Sequence, residues 1–344
     1  MSSAPQLEPE TPATACPACG GRGFARLCDP SELARQQRRA ERFHAVRLAR
    51  RRRGELAERG SFTHDYATNL LRCDACALLL RSPRPQSGHI EEAYTEERYP
   101  AERLDEMTRI QVEAFRPKVA VLRQLGVAGD VVEIGSFLGG FLEVARDAGW
   151  HAVGVDPGKQ LAERCRKRGL HVVEATLEAF AQDAKEARYG CVAIWNTFDQ
   201  LAHPGAGVDG AARLLRPGGI LALRVPHGVH YRRLLPRLGH GSPLVRYGAE
   251  ARLAWNNLLA FPYLHGYGVG SLDRLVERVG FERVRARGDV LCRLSGRATA
   301  AWARREERLV KRWQRAAIAR EARDRCGSWD ASPWLDVYYR RRLS

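Results

Sequence analysis

From Val131 onward the chain alternates short β-rich apolar runs with longer stretches of helical period. The runs are VVEI (131–134), HAVGV (151–155), HVV (171–173), CVAIW (191–195) and ILALRV (220–225). Between them lie segments such as FLEVARDAG and QLAERCRKRG, whose apolar positions recur three or four apart. That alternation predicts an α/β fold with a parallel sheet covered on both faces. Upstream the texture differs. Residues 1–13 read as a disordered tail, and 31–60 form a Pro-free run rich in Arg, Ala, Glu and Leu that suits a helix. Residues 102–126 predict a further helix, with Phe115, Val119 and Leu122 on one face and Gly126 at its end. Downstream, 227–270 break the rhythm with Gly, Pro, Tyr and His. SLDRLVERVG (271–280) predicts a helix, FERVRARGDVLCRL two late strands, and 298–326 a basic helix with Leu309 and Trp313 one turn apart.

Composition narrows this picture. The chain has 344 residues, 44% hydrophobic and 28% charged, which is ordinary for a globular protein and implies about two folding units. No run approaches the roughly 18 apolar residues of a membrane span. The start, MSSAPQLEPETPATA, lacks the basic and apolar regions of a signal peptide, so the cytoplasm is the expected compartment. There, nine Cys point to thiols or a metal site before disulfides. The net charge of +16 is concentrated in two flanks, 31–60 with ten Arg against four Glu and 297–344 with thirteen Lys and Arg against six acids. Such segments suit an anion: nucleic acid, a membrane surface, or the diphosphate of an activated sugar. Glu–Arg pairing at helical spacing makes solvated helix faces the plainer expectation. Aromatics are not interleaved as a base-stacking surface needs, so nucleic acid is not the expected partner.

Two motifs carry chemistry. The first is a pair of knuckles, Cys16-Pro-Ala-Cys19 and Cys73-Asp-Ala-Cys76. Four thiolates so spaced can close a tetrahedral zinc site, which leaves no open position and is therefore structural. Cys28 lacks a partner at ligand spacing, and Cys165, Cys191, Cys292 and Cys326 read as ordinary thiols. The second motif is the turn Glu133-Ile-Gly135-Ser-Phe137-Leu-Gly139-Gly140, followed by Asp156 at the end of the next strand. Glycines there allow close approach of a ligand, and a carboxylate at that spacing can accept hydrogen bonds from ribose hydroxyls. A dinucleotide site wants a second Gly where Phe137 stands, and Glu133 would oppose a pyrophosphate. A cationic cofactor would welcome Glu133, so a nicotinamide oxidoreductase is the weakest reading.

These motifs, with WNTFDQLAHP (195–204) and LLRPGGILALRVP (214–226) following in order, resemble the class I S-adenosylmethionine-dependent methyltransferases over residues 128–293. The resemblance implies a Rossmann-like, seven-stranded methyltransferase sheet with a late antiparallel strand. It implies that Glu133, Gly135 and Gly139 face the methionine part of the cofactor and that Asp156 holds the ribose. Thr176 and Leu177 would border the adenine, and Asn196 and Phe198 would line the cofactor. Phe137, where many members have Gly, is a departure. The order of knuckles, Pro-Arg-Pro, Tyr94 and core also resembles bacterial methyltransferases with an N-terminal zinc-binding domain, a group similar to sugar C-methyltransferases and to relatives acting in polysaccharide and natural-product pathways. The implied layout is a tail (1–13), a zinc-ribbon-like domain (14–88) with the basic insert 31–60, a helical linker (89–127), the methyltransferase domain (128–296) with 227–270 as a substrate insertion, and a basic C-terminal helix and tail (297–344).

Ligands of such sheets sit outside the carboxyl ends of the strands. This places Asp199, Gln200 and His203 after the fourth strand, and His227, His230 and Tyr231 after the fifth, on the acceptor side. The insertion adds Trp255, Asn256, Asn257, Tyr263, His265 and Tyr267. Oxygen and carbon acceptors must lose a proton, and histidine is matched to that task. His203 is the first candidate base and His265 the second. The expected enzyme transfers a methyl group to a small polar acceptor, a sugar or a natural-product or polysaccharide intermediate, with a nucleotide sugar as one form. A nucleic-acid methyltransferase is the alternative. It lacks support after strand four, where Asn196-Thr-Phe198-Asp199 replaces the Asn/Asp-Pro-Pro-aromatic turn that base amino-methylases share. A non-catalytic scaffold is a third reading, opposed by the intact Glu133, Gly135 and Asp156.

Overall fold

The computed structural model describes residues 12–49, 67–84, 101–240, 242–258, 264–323, 327 and 329–343. The N-terminal tail to residue 11, residues 50–66 with the end of the basic insert 31–60, Tyr94, Tyr263 and Cys326 lie outside the described residues. In chain order the elements are β1 (Phe24–Cys28), α1 (Pro30–Ala45), β2 (Asn69–Cys73), β3 (Leu79–Ser82), α2 (Ala101–Gln124), β4 (Asp130–Ile134), α3 (Gly140–Asp147), β5 (His151–Val155), α4 (Lys159–Lys167) and β6 (His171–Val173). They continue with α5 (Leu177–Gln182), β7 (Tyr189–Trp195), α6 (Pro204–Leu214), β8 (Leu215–Pro226), α7 (Gly228–His240), α8 (Pro243–Trp255), β9 (His265–Gly266), α9 (Val269–Glu277), β10 (Phe281–Asp289), α10 (Ala301–Arg323) and β11 (Trp334–Arg341).

The chain divides into two compact units. The first comprises residues 1–86, 226–271 and 287–335; the second comprises 87–225, 272–286 and 336–344. The first unit therefore gathers the N-terminal segment, the segment 227–270 that breaks the α/β rhythm, and the basic C-terminal helix.

In the first unit, β1, β2, β3 and β9 form a sheet in that order. Phe24 pairs with Cys73 across the antiparallel β1–β2 ladder, and Leu80 with His265 across β3–β9. Helix α1 begins with a capping box in which the Asp29 side chain accepts from Glu32 N and the Glu32 side chain accepts from Asp29 N. These reciprocal bonds satisfy two of the helix's orphan donors. The helix ends at Ala45, short of the predicted reach to residue 60. Leu33, Leu70, Leu79, Tyr231, Leu253 and Trp334 share one buried cluster.

In the second unit the sheet order is β10-β11-β8-β7-β4-β5-β6. Strands β4 to β8 are mutually parallel neighbours, with Glu133 beside Gly154 and Ala193. The chain lays β4, β5 and β6 outward in one direction, then returns to place β7 against the other side of β4. That reversal makes the carboxyl ends of β4 and β7 the switch point of the sheet, where open α/β sheets bind ligands. Helix α2 packs on α3 through Phe115, which meets Phe141 edge-on at 5.8 Å. One expectation is corrected. FERVRARGDVLCRL forms one late strand, β10, because pairing stops at Asp289. The seventh strand is β11, in the segment read as a helix and tail. Its residues Trp334 to Tyr339 are buried between β8 and β10, so the segment after the basic helix supplies an interior strand of the sheet.

Candidate active site

The β4–α3 turn is built on left-handed backbone at Gly135 (φ 73°), Phe137 (φ 47°) and Gly139 (φ 68°). A Cβ on Gly135 would run into the Thr197 side chain, with Cγ2 at 2.9 Å; one on Gly139 would meet Leu170 Cδ1 at 2.6 Å. Both positions therefore exclude larger residues by space as well as by φ. Phe137 holds a conformation that costs a non-glycine residue about 1–2 kcal/mol. Two features offset it. Its N–H donates to Asp156 Oδ2 at 2.7 Å, and its ring packs on the cluster of Leu104, Leu138 and Leu161. The departure at Phe137 thus leaves the loop's shape in place.

Glu133 is the penultimate residue of β4, just before this loop, and is 2% exposed. Its Oε2 has no hydrogen-bond partner, and burial, with Asp156 nearby, pushes its carboxyl well above the usual range. A buried carboxylate without a counter-charge is costly unless a cation arrives. Asp156 is 7% exposed. It accepts from Phe137 N and, at 2.9 Å, from Gly158 N, so it pins the loop while one lone pair on each oxygen stays available. Burial raises its pKa and these two bonds oppose the rise. Ser136 is buried, and its Oγ is unpartnered.

Across the switch point, Asn196 follows β7 in left-handed backbone (φ 56°). Its N–H donates to Arg224 O at 3.2 Å, and its Oδ1 is unpartnered. Phe198 is fully buried in the short turn 198–200. Asp199 is 3% exposed, its Oδ1 lacks a partner, and burial raises its pKa to about 7. Thr176 caps α5 by accepting from Ala179 N. Leu177 is buried and would be met by side chains added at Gly207 and Gly210 of α6, so it packs in the core. The turn thus brings Glu133, Gly135, Gly139 and Asp156 together, with Asn196 across the switch point. Ser136 and the unpartnered state of Asp199 were not legible in sequence, because burial and missing partners appear only in three dimensions.

The acceptor-side candidates divide. His203, at the start of α6, is solvent-exposed. His265 belongs to the first unit's sheet, where it pairs with Leu80 and meets the Tyr267 ring at 5.9 Å. Trp255 and Asn256 are fully buried structural groups. Trp255 Nε1 donates to Glu306, and Asn256 bonds Arg252 O, Gln314 and Leu291 N. Tyr231 OH donates to Gln36. Asn257 follows the Asn256 cap of α8 in left-handed backbone. His227 and His230 are buried, with Nδ1 at 2.9 Å from Ser332 O and 2.8 Å from Asp330 O. A carbonyl only accepts, so Nδ1 carries the proton in each. Burial lowers both to about 4, leaving neutral rings at neutral pH.

The four knuckle sulfurs of Cys16, Cys19, Cys73 and Cys76 lie within 4.8 Å of one another, with Cys16–Cys76 and Cys19–Cys73 each at 3.6 Å. A tetrahedron of sulfurs about 2.3 Å from zinc has edges of about 3.8 Å, so the cluster has the dimensions of such a site. The Cys76 contact lowers Cys16 to about 5 and raises Cys76. The other described cysteines are also free thiols.

A sequence model of the family described as "Methyltransferase domain" matches residues 107–286, just over half the chain. A curated relative, C-methyltransferase NovU of Streptomyces niveus, is 34% identical over 100 residues, covering 28% of this chain and 24% of that protein. The chain thus matches about a quarter of that relative's length. Among solved structures, a possible histamine N-methyltransferase from Thermotoga maritima aligns at 16% identity and TM-score 0.44, covering 70% of this chain and 95% of that one. The CcbJ methyltransferase of Streptomyces caelestis aligns at 17% identity and TM-score 0.43, covering 74% and 96%. The family match takes in β4 to β8, with Glu133 on β4 and Phe137, the partner of Asp156, in the turn after it, and the chain belongs to that methyltransferase domain family.

Proposed function

We propose that this enzyme transfers a methyl group to a small polar acceptor, a sugar or a natural-product or polysaccharide intermediate, and that the cofactor lies on the carboxyl edge of β4, β5 and β7. The observation that carries the cofactor placement is Glu133, a buried carboxylate with an unpartnered oxygen at the switch point. S-adenosylmethionine supplies an electrophilic methyl on a sulfonium, together with an ammonium that a carboxylate can neutralise. Glu133, Gly135 and Gly139 hold the methionine part. Asp156 offers its remaining lone pairs to the ribose. Thr176 and Leu177 border the adenine, Leu177 through its backbone, and Asn196 and Phe198 line the opposite wall. The chain's work is to align the acceptor and exclude water.

An oxygen or carbon acceptor also loses a proton as its bond to the methyl forms. We assign that proton to Asp199 in preference to His203. Asp199 is buried, has an unpartnered oxygen and titrates at about 7, whereas His203 is exposed. A carboxyl raised toward the working pH is well matched to general-base catalysis. Support for the acceptor class comes from the naming of a partial relative as a C-methyltransferase and from the missing Pro-Pro-aromatic turn after Asn196. Cys16, Cys19, Cys73 and Cys76 hold a structural zinc in this reading, and the enzyme works in the cytoplasm.

Calorimetric titration with S-adenosylhomocysteine, with NADH as control, tests the cofactor site. Saturable binding of S-adenosylhomocysteine alone, abolished in Asp156→Ala, is expected. A folded protein that does not bind it would sink the reading. Turnover of nucleotide sugars against a labelled-RNA control then tests the acceptor class.

A further inference from the structure

Helix α10, in the first unit, separates its side chains in a way the sequence did not reveal. Its inward face buries Ala303, Glu307, Lys311, Gln314 and Ile318. Its outward face carries Trp302, Leu309 and Trp313, which are 53%, 65% and 55% exposed. At 100° per residue these three lie within about 40° of one another on the helix circumference. They form an apolar stripe about 16 Å long. Beside the stripe run Arg305, Arg308, Arg312 and Arg315, all exposed. No exposed position of the helix is acidic. Its acids are engaged elsewhere: Glu306 with Arg47, Glu307 with Lys311, and Glu321 with Ala331 N. The indoles are held in place, Arg47 standing 5.3 Å from the Trp302 ring and Arg252 4.8 Å from the Trp313 ring. Tyr247, which bonds Glu306, and Leu244 one turn before it add exposed apolar surface from α8.

We propose that this face of the first unit adsorbs to an anionic phospholipid surface. Three observations select that occupant. The stripe is tryptophan and leucine, which together suit the boundary between headgroups and acyl chains. The flanking row is arginine without acid, which suits lipid phosphates and is worth about fivefold in binding per residue near an anionic leaflet. A second copy is disfavoured on charge, because a symmetric contact would set the two arginine rows against each other on a chain whose net charge is +16. A nucleic acid would use the arginines and indoles but gains little from Leu309 and Leu244. Adsorption is the mode, since no described helix is long and apolar enough to cross a membrane.

The test is co-sedimentation of the full chain with vesicles of phosphatidylcholine containing about 30% phosphatidylglycerol, against pure phosphatidylcholine. Two variants, Trp302→Ser/Leu309→Ser/Trp313→Ser and Arg308→Glu/Arg312→Glu, are compared with the wild type. All substituted side chains are exposed, and unchanged circular dichroism and S-adenosylhomocysteine affinity verify folding. The expected result is salt-sensitive binding to the anionic vesicles only, with a blue-shifted tryptophan emission. Each variant should weaken it at least tenfold. Absence of vesicle binding overturns the proposal, as does equal binding to both lipids or binding that both variants retain. A shift of labelled RNA without vesicle binding overturns it in favour of nucleic acid, and a lipid-independent dimer broken by the triple variant overturns it in favour of self-association.

Discussion

Glu307 and Glu133 are 1% and 2% exposed, yet the two units treat these buried carboxylates in opposite ways. In the first unit, Glu307 accepts from Leu294 N at 2.7 Å, Ser295 N at 2.9 Å and Lys311 Nζ at 2.6 Å. Every oxygen has a donor and the charge has a counter-charge. In the second unit, Glu133 has an unpartnered oxygen and an acidic neighbour, and Asp199 has an unpartnered oxygen too. The second unit also holds a satisfied buried acid, Asp336, bonded by Lys118 and by Arg224 at 3.0 Å. On the proposed function, the contrast is between a ligand site and its scaffold. Glu307 and Asp336 follow the rule that buried charge is paired; at Glu133 and Asp199 the proposed ligand would supply the missing partners.

The largest effect should come from the scaffold side. Cys73→Ala, at a position with no exposure, should abolish binding of the zinc proposed for the four-cysteine cluster, because three thiolates hold a structural ion far more weakly than four. Apparent free energies of such sites are about 10–16 kcal/mol, so the β1–β2–β3 sheet should lose its hydrogen-exchange protection. Zinc analysis showing no metal in the wild type would overturn the zinc assignment. Next in size, Lys311→Met should destabilise the first unit by about 3–5 kcal/mol, the usual cost of stranding a buried charge. Thermal denaturation reads this directly.

The site side should behave differently. Asp199→Asn should reduce kcat by about 10²–10⁴ with little loss of stability. In the wild type, kcat should rise with pH through about 7, as Asp199 ionises. The stability dependence has the opposite sense. The folded pKa of Asp199 lies above its unfolded value, so its contribution is full below about pH 4 and falls as pH rises toward 7. Glu133→Gln sharpens the contrast further. It should raise the melting temperature of the ligand-free protein by a few degrees, because burial disfavours an ionisable carboxyl there and an amide has no charge to give up. The same change should weaken cofactor binding by about 10–100-fold. Stabilisation with loss of function is the signature of a site residue, and the reverse pattern would move Glu133 into the scaffold.

Much of this division was legible in sequence. The parallel core followed from five apolar runs with helices between, and the turn from Gly135 and Gly139, because only glycine fits both the left-handed backbone and the space beside Thr197 and Leu170. The knuckles were legible because a four-sulfur cluster needs only local spacing at each half. Strand β11 was not legible. WLDVYYRR is a short run after a basic helix, and its place between β8 and β10 is a long-range pairing that no local period reports. Trp255 and Asn256 misled for a related reason. Aromatic and amide residues suit a sugar pocket, but here they close the core between α8 and α10, where Asn256 spends its amide on Arg252, Gln314 and Leu291.

The smallest predicted effect is the one that separates composition from burial. Histidine is the residue type whose ordinary pKa suits a base at neutral pH, and on that ground His203 stood first in the sequence. An exposed imidazole at the head of α6 is surrounded by water, which levels its advantage as a proton acceptor. Asp199, four residues earlier, has lost its water and kept a free oxygen. His203→Ala should therefore change kcat by less than about threefold and leave the pH limb near 7 in place, since removal of an exposed side chain away from such features shifts free energies by only about 0.5 kcal/mol. A loss of about a hundredfold in His203→Ala, with an unaltered Asp199→Asn, would return the base to the histidine. It would also mean that the acceptor, when bound, covers the head of α6 and supplies the burial that the protein alone does not.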